Sequence, residues 1–344
     1  MFPKLRNSKF DMKTKKYISY GLGVVRRIMY KLQTRYCISR IRNYDYDRLI
    51  RHSGALHQNQ FEQKRAALSM AYHVIEKGLT MPNKRLGFGQ PSVLNLIRLC
   101  KEFSDEYSST DAVFLHAIAV LKGYLKLHCD NNYVLEEKLE TKIVDLINPY
   151  AEVLHDPQLR MSKRKFFSST ECPFPLFAAS RHTCRHFAGS VSIERIINAV
   201  KLANLAPSAC NRQHTRVHCI SDNVKKESLL SIQNGNRGFG NFADKLLLIT
   251  TDLHDMRWIE ERNDVYTNAG IFIMNLCYAL HYEKIAHCIL NWSVSPDIDL
   301  KMRQIVNVPD NENLVCIIAC GEAPDTIEIA SSPRKNLSDY FTIH

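Results

Sequence analysis

The stretch "SIERIINAVKLANLAPSACNRQHTRVHCIS", Ser192 to Ser221, passes from a helix pattern to a strand pattern through one polar turn. Ser192 is an N-cap candidate, and Ile193, Ile196, Ile197, Val200 and Ala203 recur at spacings of three and four, which predicts an amphipathic helix. Pro207 and Ser208 end it, and "TRVHCIS" (Thr215 to Ser221) follows as a strand. The alternation continues with strands at "KLLLITT" (Lys245 to Thr251), "AHCILNW" (Ala286 to Trp292) and "LVCIIAC" (Leu314 to Cys320). Helices fit between them over 224–232, 265–283 and 296–306, the last with Ser295 as N-cap and Pro296 at N1. The third and fourth strands are apolar on both faces, as in a sheet covered on both sides. A layered α+β or α/β domain over 176–344 is the expectation.

Upstream the pattern changes. From Gln60 to Tyr150 glycines are few and apolar residues fall at helical spacing: Ala67, Met70, Ala71, Val74 and Ile75, then Val93, Leu96, Ile97 and Leu99, then Val113, Ile118, Leu121 and Leu125. An all-helical domain over 53–158 follows. Inside it, "YHVIEKGLTMPNKRLGFGQPS" reads as a helix ending at Gly78 in the C′ position, then a loop marked by Pro82, Gly87, Gly89 and Pro91. Lys77, Lys84 and Arg85 make that passage either a binding loop or a tight connection. The serines, prolines and basic cluster of "LRMSKRKFFSSTECPFP", 159–175, read as a linker.

The net charge of +11 is confined to one end. Residues 1–51 hold fourteen Lys and Arg against Asp11, Asp45 and Asp47, and the rest of the chain is balanced. In this basic segment, 1–52, "YISYGLGVVRRIMYKL" (Tyr17 to Leu32) suits an interfacial amphipathic helix, although Gly21 and Gly23 weaken it. Its apolar run is too short to span a bilayer, and no signal-peptide pattern is present. Peripheral membrane contact and a solvated arm stay open as alternatives; nucleic acid is not expected. Eleven cysteines without a C-x-x-C pair suggest reduced thiols in a cytoplasmic protein and no metal ligands.

The chemistry concentrates in three places. "RHTCRHF" (Arg181 to Phe187) packs two arginines and two histidines into seven residues, which is either a solvated turn or an anion site. "LAPSACNRQ" exposes backbone polar groups beside the Asn211 and Gln213 amides, which suits the edge of a flat heterocycle. "GEAPDTIEIASSPRKNL" places Arg334 and Lys335 shortly after a strand. Cations at both ends of a domain with an amide-rich turn between them suit a phosphate carried by a flat ring.

The order of these segments, together with "NAG" early in the long helix and a strand ending in "LNW", resembles the FMN-dependent nitroreductase family over Phe177 to Tyr340. The resemblance implies a layered α/β/α fold with a mixed, largely antiparallel sheet, α+β in class, here preceded by the helical domain. It implies that Arg181, His182, Thr183 and Arg185 hold the FMN phosphate and ribityl chain, with Arg334 and then Lys335 returning to the phosphate. Pro207, Ser208, Asn211 and Gln213 would approach the isoalloxazine and ribityl groups, and Asn291 and Trp292 would stand where the family brings backbone near the ring. Phe187 is expected in the core. The chain departs from the family pattern at His214-Thr215, where Pro-Trp is common, at Asn291-Trp292-Ser293, and at "HYEKIAHC".

The implied activity is an FMN-dependent oxidoreductase, with NADH or NADPH as donor, a small organic acceptor and no catalytic side chain. A homodimer is implied, and so is a specialised biosynthetic setting such as surface-polysaccharide synthesis. The alternative is a non-catalytic binding protein whose flavin fold has degenerated and whose basic arm contacts nucleic acid or membrane.

Overall fold

The computed structural model describes residues 24–36, 38–40, 42–43, 60–150, 155–255 and 259–344. The chain divides into two units, Met1–Asn59 and Gln60–His344. In the first, residues 24–36 are helical and Val25, Ile28, Met29 and Tyr30 are exposed beside Arg26 and Arg27. Residues 17–23 of the expected amphipathic helix lie outside the described residues.

The second unit begins with four helices: α1 (Phe61–Leu79), α2 (Gln90–Glu106), α3 (Ala112–Asp130) and α4 (Glu137–Ile147). Asp111 caps α3, its carboxylate accepting from the N–H groups of Val113 and Phe114. These helices share one core built on Leu68, Ile75, Leu96, Phe103, Phe114 and Tyr124. The buried stripe of α1 is Leu68, Ile75 and Leu79, whereas Met70 and Val74 of the expected face are exposed. α3 is long and apolar enough to cross a membrane, and here most of it is buried as the central helix of this core.

Gly78 does not end α1. The helix continues through Leu79 with Thr80 as its cap, and a Cβ at Gly78 would clash with Cε2 of the Phe88 ring. This glycine serves close approach rather than termination. Gly87 and Gly89 do turn the chain, at φ +69° and +63°.

The expected linker 159–175 is structured. Gln158–Ser162 forms β1, the short helix α5 (Lys163–Phe166) follows, and Phe166 and Phe167 are buried in the core. β1 pairs antiparallel with the last strand, β6 (Thr326–Ala330), with Met161 opposite Ile327. After α6 (Phe174–Ser180), the chain alternates as expected: α7 (Ile193–Ala203), β2 (Thr215–Ile220), α8 (Asn223–Ile232), β3 (Lys245–Asp252), α9 (Asp264–Tyr282), β4 (Ala286–Asn291), α10 (Pro296–Val306) and β5 (Glu312–Gly321).

The main sheet has the order β2-β3-β5-β4, and every pairing in it is antiparallel rather than mixed. Leu247, Ile249, Cys316 and Ile318 face a core shared with α7 and α9. Leu246, Leu248, Ile317 and Ala319 face the other side, in a core shared with Leu229 of α8 and Met302 of α10. The architecture is therefore α/β/α. β3 and β5 are the strands buried on both faces; β4, which the sequence places among them, lies at the sheet edge with Ile289 exposed.

Candidate functional site

The RHTCRHF segment leaves α6 as extended coil along the β4 edge, tied by the Cys184 N–H to the His287 carbonyl (3.0 Å). Cys184 and Phe187 point into the core, as expected for Phe187, and the Arg181, His182, Thr183 and Arg185 side chains remain half-buried. The alternation divides the motif into an anchoring face and a cationic one.

The cations point two ways. Arg181 acts on His281 at the end of α9, on His287 of β4 and on His182. Arg334 reaches the same place from the tail, which turns back at Ser332 (φ +45°), whose carbonyl accepts from the Arg334 guanidinium at 2.7 Å. Burial, then Arg181 and Arg334, push His182 below the ordinary histidine range, so its imidazole is neutral near pH 7. Arg185 turns instead toward α1, donating to His73 Nε2 at 3.4 Å and adding to the burial that lowers Lys77. His73 Nδ1 contacts the buried Glu76 at 3.0 Å, Glu76 contacts His116 Nε2 at 3.1 Å, and His116 Nδ1 contacts His155 at 2.7 Å.

Among the described residues no carboxylate pairs with Arg181, Arg185 or Arg334. Other arginines of this unit do find acids: Arg195 with Glu322, Arg212 with Glu261, Arg216 with Asp252 and Arg303 with Asp299. Lys335 is exposed and acts on Asp339. Beside Arg181, the buried His287 Nε2 and His281 Nδ1 have no hydrogen-bond partner among the described residues.

The turn after α7 is strained and firmly held. Cys210, Asn211 and Gln213 all have left-handed backbone, φ +51°, +53° and +50°, which costs about 1 kcal/mol or more at each non-glycine position. Asn268 Oδ1 accepts the Ala209 N–H at 2.8 Å, Ser208 Oγ accepts the Gln213 N–H at 3.0 Å, and Arg212 grips Glu261 with two bonds of 3.0 and 2.9 Å. The Asn211 and Gln213 amides bond each other at 3.1 Å and stay exposed beside Pro207. Asn268, within the "NAG" of the long helix, is the clamp the sequence did not single out; the signal was an asparagine at a buried helical position.

The structure does not gather the predicted residues into one place within a single copy. Arg181 acts on Cys277 and His281, and the 207–213 turn hangs from Asn268, nine to thirteen residues earlier on α9, which is about 14–20 Å of helix. Trp292 is half-buried against the core, and its indole N–H donates to Asp299 at 2.8 Å. The Asn291 carbonyl accepts from the Gln233 amide at 3.1 Å.

No family model and no curated protein matches the chain. Solved structures do. About half of the chain is similar to nitroreductase-family structures. A nitroreductase family protein from Streptococcus pneumoniae TIGR4 is 18% identical, with 50% of this chain and 100% of that one covered and a TM-score of 0.44. An FMN-dependent nitroreductase from Clostridium difficile R20291 is 23% identical, with 49% and 96% covered and a TM-score of 0.38. A nitroreductase family protein from Clostridium novyi NT is 13% identical, with 49% and 91% covered and a TM-score of 0.40.

Proposed function

We propose that the C-terminal half is an FMN-dependent oxidoreductase acting between NADH or NADPH and a small organic acceptor. The observation that carries this reading is the half-buried Arg181, which stands with His182 and Arg334 and has no acid beside it among the described residues. Cations held close together without counter-charge favour a dianion such as the flavin phosphate. His182, kept neutral by burial and then by Arg181 and Arg334, gains a reason to protonate once a phosphate arrives. The orphaned His287 and His281 nitrogens give the site further polar atoms in need of partners. Bound there, FMN supplies hydride chemistry, and the protein's part is to hold, orient and tune it.

The second half of the site would come from a second copy. About 14–20 Å of α9 separates the cationic end from the 207–213 turn within one chain, so the turn serves the flavin of a partner more readily than its own. The outer faces of α7 and α9 support such pairing: Ile193 and Ile197 on one and Ile271 and Met274 on the other are exposed, and Gly270 opens onto free space.

The test is a visible spectrum of the full chain after reconstitution with FMN, followed anaerobically by NADH or NADPH. Flavin bands that bleach support the reading. A protein that never retains flavin overturns it and leaves a non-catalytic binding protein.

A further inference from the structure

We propose that the cleft between the loop after α1 and the 234–242 loop is a second anion site, which takes a small organic phosphate with two or more negative charges. The cleft is about 1020 Å³, enough for a ligand of nucleotide size. Lys77, Arg85 and Arg237 line it, and no aspartate or glutamate does. None of the three has an ion-pair partner among the described residues. Burial and then Arg185 push the half-buried Lys77 ammonium below the usual lysine range, a cost that a bound anion reverses.

The walls are constructed rather than loose. Gly238 sits at φ +86°, and a Cβ there would lie 3.3 Å from Met81 Sδ, so the two loops meet at van der Waals distance. The buried Asn236 amide pins the second loop, donating to the Leu230 and Gln233 carbonyls at 2.8 and 2.7 Å. Within the described residues the Gly235 and Gly238 N–H groups make no hydrogen bond, which leaves backbone donors beside the Arg237 charge. Met81, Phe88 and Phe242 supply apolar surface for the organic part. Three cations set the multiple charge of the ligand, and planar guanidinium forks favour phosphate oxygens.

Lys77 lines the cleft and feels the charge of Arg185, so a ligand held here lies near the RHTCRHF motif. Its role as the oxidoreductase's substrate rests on the function proposed above; its binding does not.

The experiment titrates the full chain calorimetrically with inorganic pyrophosphate, adenosine 5′-diphosphate and citrate, in the wild type and in the Arg85→Gln/Arg237→Gln double variant. Flavin retention is recorded for both. The wild type should bind both phosphate probes better than citrate, and the variant should bind them about tenfold or more weakly with flavin retention unchanged. Equal binding by variant and wild type, preference for citrate, or no binding at millimolar probe overturns the proposal. Loss of probe binding in the variant of a protein that never holds flavin sustains the cleft and defeats only the flavin reading.

Discussion

At the scale of the residue, the two arginines of RHTCRHF part company, and so should their variants. Arg181 shares its surroundings with His182 and Arg334, whereas Arg185 donates to His73 and acts on Lys77. Arg181→Ala should weaken flavin binding by about 2 kcal/mol, roughly 30-fold, and Arg185→Ala by markedly less; fluorescence titration with FMN compares them, and equal losses would contradict the division. Arg181 also shapes the response to acid. Burial, followed by His287 and Arg181, holds His281 at about 3, and burial with Arg181 holds His287 at about 4, against about 6.5 in the unfolded chain. Both folded values are depressed, so the unfolded state takes up protons first. Stability is complete above about pH 6.5 and falls as pH drops toward 4 and 3. Urea midpoints at successive pH values should show this slope. His281→Phe, placed among the rings of Phe166, Phe167 and Phe177, should flatten it by up to about 1.4 kcal/mol per pH unit.

At the scale of the element, Gly78 offers a comparison in which two effects oppose. Alanine gains about 1 kcal/mol over glycine inside a helix, yet its Cβ would displace the Phe88 ring, which packs edge-on against Tyr124 (5.2 Å) while Tyr124 donates to the Phe88 carbonyl at 2.8 Å. Overpacking of this kind costs about 1–3 kcal/mol, so Gly78→Ala should lower the urea midpoint; a rise would mean that Phe88 moves freely. The same glycine shows where sequence reading stopped. Its position after a helical run is what a C′ glycine would show, and only the ring arriving from ten residues onward reveals the other use. Segments of strong period, such as "SIERIINAVKLA" and "KLLLITT", were legible because their own burial pattern shapes them. β1 was not: QLRMS is mostly exposed and pairs with Thr326–Ala330, so its strand character comes from a distant partner. The order β2-β3-β5-β4, which makes β4 an edge, depends on long-range pairing in the same way. For the site, charges and turn residues were readable one at a time, but the direction in which Arg185 turns and the Asn268 clamp are tertiary facts.

At the scale of the whole molecule, the separation along α9 and the exposed α7 and α9 faces bear on one assembly. If each flavin takes its phosphate contacts from one copy and the 207–213 turn from the other, pairing and flavin retention are a single property. Ile271→Glu with Met274→Glu tests this, because both side chains are exposed, 42% and 39%, and neither belongs to the cationic end or to the turn. Charges at these positions should leave the fold of the isolated chain intact, since exposed helical glutamate is well tolerated, and should repel across a symmetric contact, where each residue meets its own copy or a near neighbour. Sedimentation should therefore find the wild type as a dimer and the double variant as a monomer. The variant should also lose its flavin bands although Arg181, His182 and Arg334 are intact. A wild type that sediments as a monomer with flavin bound, or a monomeric variant that keeps it, would place the whole site within one chain. The 207–213 turn, about 14–20 Å of helix away, would then have to be dropped from it.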